Sequence, residues 1–169
     1  MRALAELLNE MRAAGVIVDY AVFGAAAQMR YTEPVATVDA DVLLAMPSPD
    51  RLDVLHAVYE FCAGKGYRAE GEAIHVGGWP VQFGPVFSPL TQEAVKQADT
   101  ADFEGVPFRV VRPDHLVVIA LSVGQAKDFT RILALLESGS VSRGEVGPLA
   151  ERHGLGPAWK RFEARFLDE

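Results

Sequence analysis

Between Val38 and Met46 the chain reads Val-Asp-Ala-Asp-Val-Leu-Leu-Ala-Met, an apolar stretch carrying two carboxylates two residues apart. The β-branched and aliphatic residues favour a strand, which we read over Thr37–Met46. Strand side chains alternate between faces, so Asp39 and Asp41 share one face while Val38, Ala40 and Val42 take the other. Such a strand needs a core on one side and an accessible surface on the other. Neighbouring carboxylates repel and raise each other's pKa unless a cation sits with them. Mg²⁺ suits the pair, because it takes hard oxygen ligands and keeps positions open for phosphate oxygens. The alternative is a solvated acidic pair on an exposed sheet face, and the spacing alone leaves both open.

Upstream, Val16–Phe23 is rich in β-branched and aromatic residues and reads as a buried strand ended by Gly24. Ala25 to Arg30 then reads as a short helix. Glycine permits a tight turn and close backbone approach, and a helix start offers unpaired N–H groups to an anion. Taken alone, Gly24 reads as a plain strand–helix turn.

The remaining segments give a mixed order. Leu4, Leu7, Leu8 and Met11 have helical spacing, predicting a helix over Ala3–Ala14. Ser48-Pro49-Asp50 carries N-cap, first-turn proline and first-turn acid signals for a helix running to Ala63. Tyr67–Glu72 and Ile74–Phe83 are read as a strand pair, with a turn or bulge at Gly77-Gly78. A helix over Leu90–Gln97 and a hairpin over Ala101–Val111 follow. Helices are predicted over Asp114–Val123, Asp128–Ser138, from the Ser142–Glu145 capping box to His153, and over Pro157–Leu167. The expected fold class is α/β (α+β): a small mixed sheet flanked by helices over residues 1–112, then a helical C-terminal subdomain over 113–169.

Composition narrows the function classes. Hydrophobic residues make up 50% and charged residues 23% of the 169, a globular balance. Cys62 is the one cysteine, which excludes an intrachain disulfide and a thiolate cluster; its apolar surroundings read as a buried helix thiol. The net charge of −7 disfavours a phosphate-backbone binder, so DNA is not the expected partner, whereas a nucleotide carried with Mg²⁺ is penalised less. No run is apolar enough for a signal peptide or a membrane span, so the expectation is a cytoplasmic protein without a membrane partner. His56, His75, His115 and His153 lack ligand spacing and are read as surface or interfacial residues. Trp79 and Trp159 are read as core anchors.

Phe23-Gly24-Ala25-Ala26-Ala27 followed by Thr37-Val38-Asp39-Ala40-Asp41-Val42-Leu43-Leu44 resembles the DNA-polymerase-β-like nucleotidyltransferase superfamily. The likeness is to its minimal bacterial nucleotidyltransferases and abortive-infection-toxin-like enzymes. Pro113–Leu116 and Gly124–Ile132, with Lys127-Asp128 opening a helix, extend the resemblance. It implies a nucleotidyltransferase-like fold and Mg²⁺-dependent transfer of a nucleotide from a nucleoside triphosphate to a small molecule, a protein or an RNA end. On this resemblance Asp39 and Asp41 hold the metal. Gly24, Ala25, Thr37, Lys127 and Asp128 bind the nucleotide. A third carboxylate, which helps to activate the acceptor, is expected on the strand Trp79–Phe83, where Gln82 stands. Glutamine hydrogen-bonds but is no base; Glu70 or Glu72 are the alternative sources of that acid. Asp128 has a second reading as the cap of its own helix, with Lys127 solvated. Two functions stay open: a transferase, or a catalytically impaired module of this fold binding nucleotide or a protein partner, as a homodimer or in a toxin–antitoxin-like pair.

Overall fold

The computed structural model describes residues 1–33 and 39–168. Thr37, assigned above to the nucleotide, and Val38, assigned to the core, lie outside the described residues. The chain divides into two compact units, one of residues 1–27 and 36–111, the other of 28–35 and 112–169.

The first unit is built on one sheet. Its elements are α1 (Arg2–Ala13), β1 (Asp19–Phe23), α2 (Gly24–Gln28, which runs to the edge of this unit), β2 (Ala40–Ala45) and α3 (His56–Gly64). Then come β3 (Ala69–Glu70), β4 (Ala73–Val76), β5 (Trp79–Pro85), α4 (Pro89–Lys96), β6 (Asp99–Phe103) and β7 (Val106–Val110). The seven strands lie in the order β3-β4-β5-β2-β1-β7-β6. β2 pairs antiparallel with β1 and parallel with β5, while β1 pairs parallel with β7, so the sheet is mixed as expected.

Alternation fixes which residues share a face, and both faces of β1 and β2 are covered: Ala21 and Leu43, on the Asp41 side, are buried too. Tyr20, Val22, Ala40, Val42, Leu44 and Val81 are fully buried on one side of β1, β2 and β5. α1 lies on this side: Leu4, Leu7, Leu8 and Met11 are its buried stripe, and Tyr20 Oη donates to Asn9 Oδ1 at 2.9 Å. The next residues along each strand, Phe23, Asp41 and Gln82, project from the opposite face.

Three segments depart from the sequence reading. Ser48-Pro49-Asp50 starts no helix; α3 begins only at His56. Leu52, the apolar residue among Asp50–Asp53, is fully exposed, so that stretch has no apolar stripe to dock, and Arg51 pairs locally with Asp53. The Ile74–Phe83 strand is two strands, because Gly77 and Gly78 both take positive φ (56° and 82°) and reverse the chain. β1 is shorter than read, starting at Asp19.

The second unit holds α5 (Pro113–Val123), α6 (Ala126–Glu137), α7 (Arg143–Arg152) and α8 (Gly156–Phe166). Every residue of α5 from His115 to Leu121 is buried, which makes it the central helix. Ser142 Oγ accepts from Glu145 N–H and Glu145 accepts from Ser142 N–H, the reciprocal cap that starts α7. Trp159 stacks on Phe162 at 5.5 Å and Phe129 packs on Phe162 at 5.8 Å. His115 is not a surface residue: it is 1% exposed, with Nδ1 3.2 Å from Asp114 Oδ1, because its side chain falls on the buried side of α5.

Candidate active site

β2 carries the acidic pair. Asp41 is its second residue and Asp39 immediately precedes it. Asp41 lies between Phe23 on β1 and Gln82 on β5 in the strand register. Gln82 Nε2 donates to Asp39 Oδ2 at 2.7 Å. A side chain directly opposite Asp41 therefore also reaches Asp39, which puts all three on one face. Both aspartates are half-buried and Gln82 is exposed, whereas Ala40, Val42 and Val81 behind them are fully buried.

The glycine bend meets this pair. Phe23 pairs with Asp41, so the next residue, Gly24, turns away beside it. Gly24 has φ +65°, and a Cβ placed on it would fall 2.8 Å from Asp41 Oδ2. Only a residue without a side chain allows the carboxylate this close at that backbone angle. Ala25 follows on the short helix α2. The assembled group is Gly24, Asp39, Asp41 and Gln82, with Ala25 adjoining it in the chain.

The other sequence candidates sit elsewhere. Glu70 is on β3, three strand spacings from β2, roughly 14 Å away at ~4.8 Å per spacing. It pairs with His75 Nε2 at 3.2 Å, and Glu72 lies in the exposed turn after β3. Neither supplies a third acid, because β4 and β5 stand between. Among the described residues no cluster of three or more His, Cys, Asp or Glu side chains is positioned to hold a metal ion. The donor set beside β2 is thus two carboxylates and an amide. The two carboxylates are hard oxygen donors and fit a cation such as Mg²⁺ rather than a soft metal, while the amide presents its N–H to Asp39.

Lys127 and Asp128 belong to the second unit. Lys127 is exposed on the first turn of α6. Asp128 is 3% exposed, accepts the Gln125 N–H at 3.1 Å and lies 3.5 Å from Arg131 Nη1. Its carboxylate closes the capping box of α6. Arg131 Nε in turn donates to Gln28 Oε1 at 3.3 Å. The close contact of Gly24 with Asp41 was not visible in the sequence, since it depends on the register between β1 and β2.

No protein-family model matches the chain, and no curated protein matches its sequence. Solved structures do match its fold. An antigenic nucleotidyltransferase-like protein from Paracoccidioides brasiliensis superposes with a TM-score of 0.56 at 12% identity, over 92% of this chain and 89% of that one. The antibiotic-resistance factor ANT(2'')-Ia superposes at 0.51 and 13% identity, over 96% of this chain and 97% of that one. The same factor in complex with adenylyl-2''-tobramycin superposes at 0.52 and 12% identity, over the same shares. The fold is that of the nucleotidyltransferases. Among the described residues no helix is long and apolar enough to cross a membrane.

Proposed function

We propose that this chain binds a nucleoside triphosphate with Mg²⁺ at the Asp39–Asp41 face and transfers its nucleotide to an acceptor, releasing pyrophosphate. One observation carries the reading: two carboxylates side by side at β2, one of them against the Gly24 bend, in a chain with a nucleotidyltransferase fold. Asp39 and Asp41 would hold the cation, with the Gln82 amide beside them. Once bound, the cation supplies charge neutralisation for the phosphates. Gly24 and Ala25 are assigned to the phosphate side of the nucleotide; the space that a Cβ on Gly24 would fill is taken by the Asp41 carboxylate. Phe23, on the far side of Asp41, gives that edge an apolar wall.

A second reading has its own support. Gln82 puts an uncharged amide, already donating to Asp39, where an acid would serve turnover. On this reading the chain binds nucleotide without transferring it, alone or with a protein partner.

Melting curves with each nucleoside triphosphate, with and without Mg²⁺, test both. The expected result is a Mg²⁺-dependent rise in Tm that Asp41→Asn removes. Incorporation of labelled nucleotide, lost in Asp39→Ala, supports transfer; the Tm rise without product supports binding alone. No rise with any triphosphate overturns both.

A further inference from the structure

We propose that the second unit binds a small organic anion, a carboxylate or phosphate carried on a ring, in a groove beside α8. The groove encloses about 360 Å³, within the range of small-molecule sites, and all its lining residues belong to that unit. α5 ends at Gly124, which takes φ +71°, and α6 starts at Ala126, so the last turn of α5 adjoins the first turn of α6. Leu121 from α5 and Phe162 from α8 are buried, Phe129 from α6 is half-buried, and Phe166 at the end of α8 is exposed. The rings of Phe129 and Phe162 stand 5.4 Å and 4.9 Å from that of Phe166, tilted to it by 45° and 40°. Tilted rings at this spacing accept a further flat apolar body by edge or face.

Charge decides what that body must carry. α8 has Lys160, Arg161 and Arg165 against one acid, Glu163, in a chain of net charge −7. Arg143 takes up Glu163, donating from Nε at 2.8 Å, and Asp168, donating from Nη2 at 2.9 Å. Among the described residues Arg161 and Arg165 have no carboxylate or carbonyl partner. Both line the groove, and they stand four apart on one helix, hence on one face, where like charges repel. The Arg165 guanidinium carbon lies 4.8 Å from the Phe166 ring centroid and 6.0 Å from that of Phe129. Stacking uses the flat face of a guanidinium and leaves its N–H donors unused. An anion between the two arginines relieves their repulsion and takes the forked N–H groups, which fit carboxylate and phosphate alike. A neutral ring gains only the apolar contacts, and a bare inorganic anion only the charge.

The test is an NMR titration of the full chain, isotope-labelled, with neither nucleotide nor Mg²⁺ present. Phenylacetate and phenyl phosphate are the anionic ring probes, benzyl alcohol the neutral ring and inorganic phosphate the bare anion. An anionic ring probe should shift the backbone amides of Gly124, Phe129, Arg161 and Phe166 saturably, and the tighter of the two identifies the head group. Benzyl alcohol and inorganic phosphate should each bind at least ~10-fold more weakly. Arg161→Gln and Arg165→Gln should each weaken the anion by ~10-fold or more, with amide signals away from α8 unchanged. Ala158→Met, on the groove lining, should fill it and abolish binding. No saturable shift with either anionic ring probe overturns the proposal. So do shifts confined to other parts of the chain, benzyl alcohol binding as tightly as the anions, or full affinity in both arginine variants. A wild-type dimer that Ala158→Met takes apart assigns the groove to a second copy of the chain and overturns it as well.

Discussion

Gly24 and Asp41 are fitted to each other: the carboxylate Oδ2 occupies the space 2.8 Å from where a Cβ on Gly24 would stand. The glycine also holds φ +65°, a region that costs other residues about 1–2 kcal/mol. Gly24→Ala should therefore destabilise the fold by about 1–2 kcal/mol, read as a lower urea midpoint. Because the obstructed atom is the end of a side chain, the new methyl should push the carboxylate aside and leave the sheet intact. The Mg²⁺-dependent rise in Tm with nucleotide should then disappear although the protein folds. A variant that keeps the full rise would show that this contact has no bearing on binding.

Cys62 gives a check on the core. It is fully buried in α3, and burial pushes its thiol up to about 11. The thiolate is the reactive form, so at pH 8 the native protein should leave a thiol reagent untouched. One equivalent should react once denaturant opens the fold. Fast native labelling would show that Cys62 is not held in the core.

The carboxylate pair was legible in the sequence because strand alternation fixes which side chains share a face, without knowledge of the strand's neighbours. Gly24 was legible as a turn for the same local reason. Its contact with Asp41 was not, since register across β1 and β2 brings them together. Glu70 and Glu72 were plausible as third acids only while strand order was unknown; β4 and β5 intervene between β3 and β2. At Ser48-Pro49-Asp50 the capping signals were sound, but a helix also needs a face to bury, and Leu52 has none. Spacing shows which residues share a helix face, not that α5 is buried nearly all round, so the burial of His115 is not legible in the sequence.

Asp114 should make stability depend on acid pH. Burial alone would raise its carboxyl, but the His115 hydrogen bond and charge, the His115 backbone N–H and Arg112 outweigh it and hold the pKa below the ordinary 3.8. A carboxyl depressed in the folded state contributes fully above its unfolded value and loses that contribution as pH falls through the folded value. Asp114→Asn should therefore cost about 1 kcal/mol at neutral pH. The gap to the wild type should close as pH drops below 3.8, measured by urea unfolding across the acid range. A gap unchanged at low pH would mean that the cost arises from packing, not charge.

Tyr20 tests the opposite face of the same sheet. Its side chain is fully buried, its hydroxyl donates to Asn9 Oδ1 at 2.9 Å, and it accepts the Arg109 backbone N–H at 3.3 Å. Tyr20→Phe keeps the ring beside Phe108, 6.5 Å between centroids, and removes only the oxygen. Two half-buried polar groups then lose a partner, which should cost about 0.5–1.5 kcal/mol. The urea midpoint should fall with an unchanged slope, as for loss of stability without a change in exposed surface. Tyr20 lies behind the sheet from Asp41, so the nucleotide-dependent rise in Tm should survive in full. Loss of that rise in Tyr20→Phe would mean that the two faces of β1 and β2 are coupled, and that the Asp39–Asp41 face depends on the α1 side for its geometry.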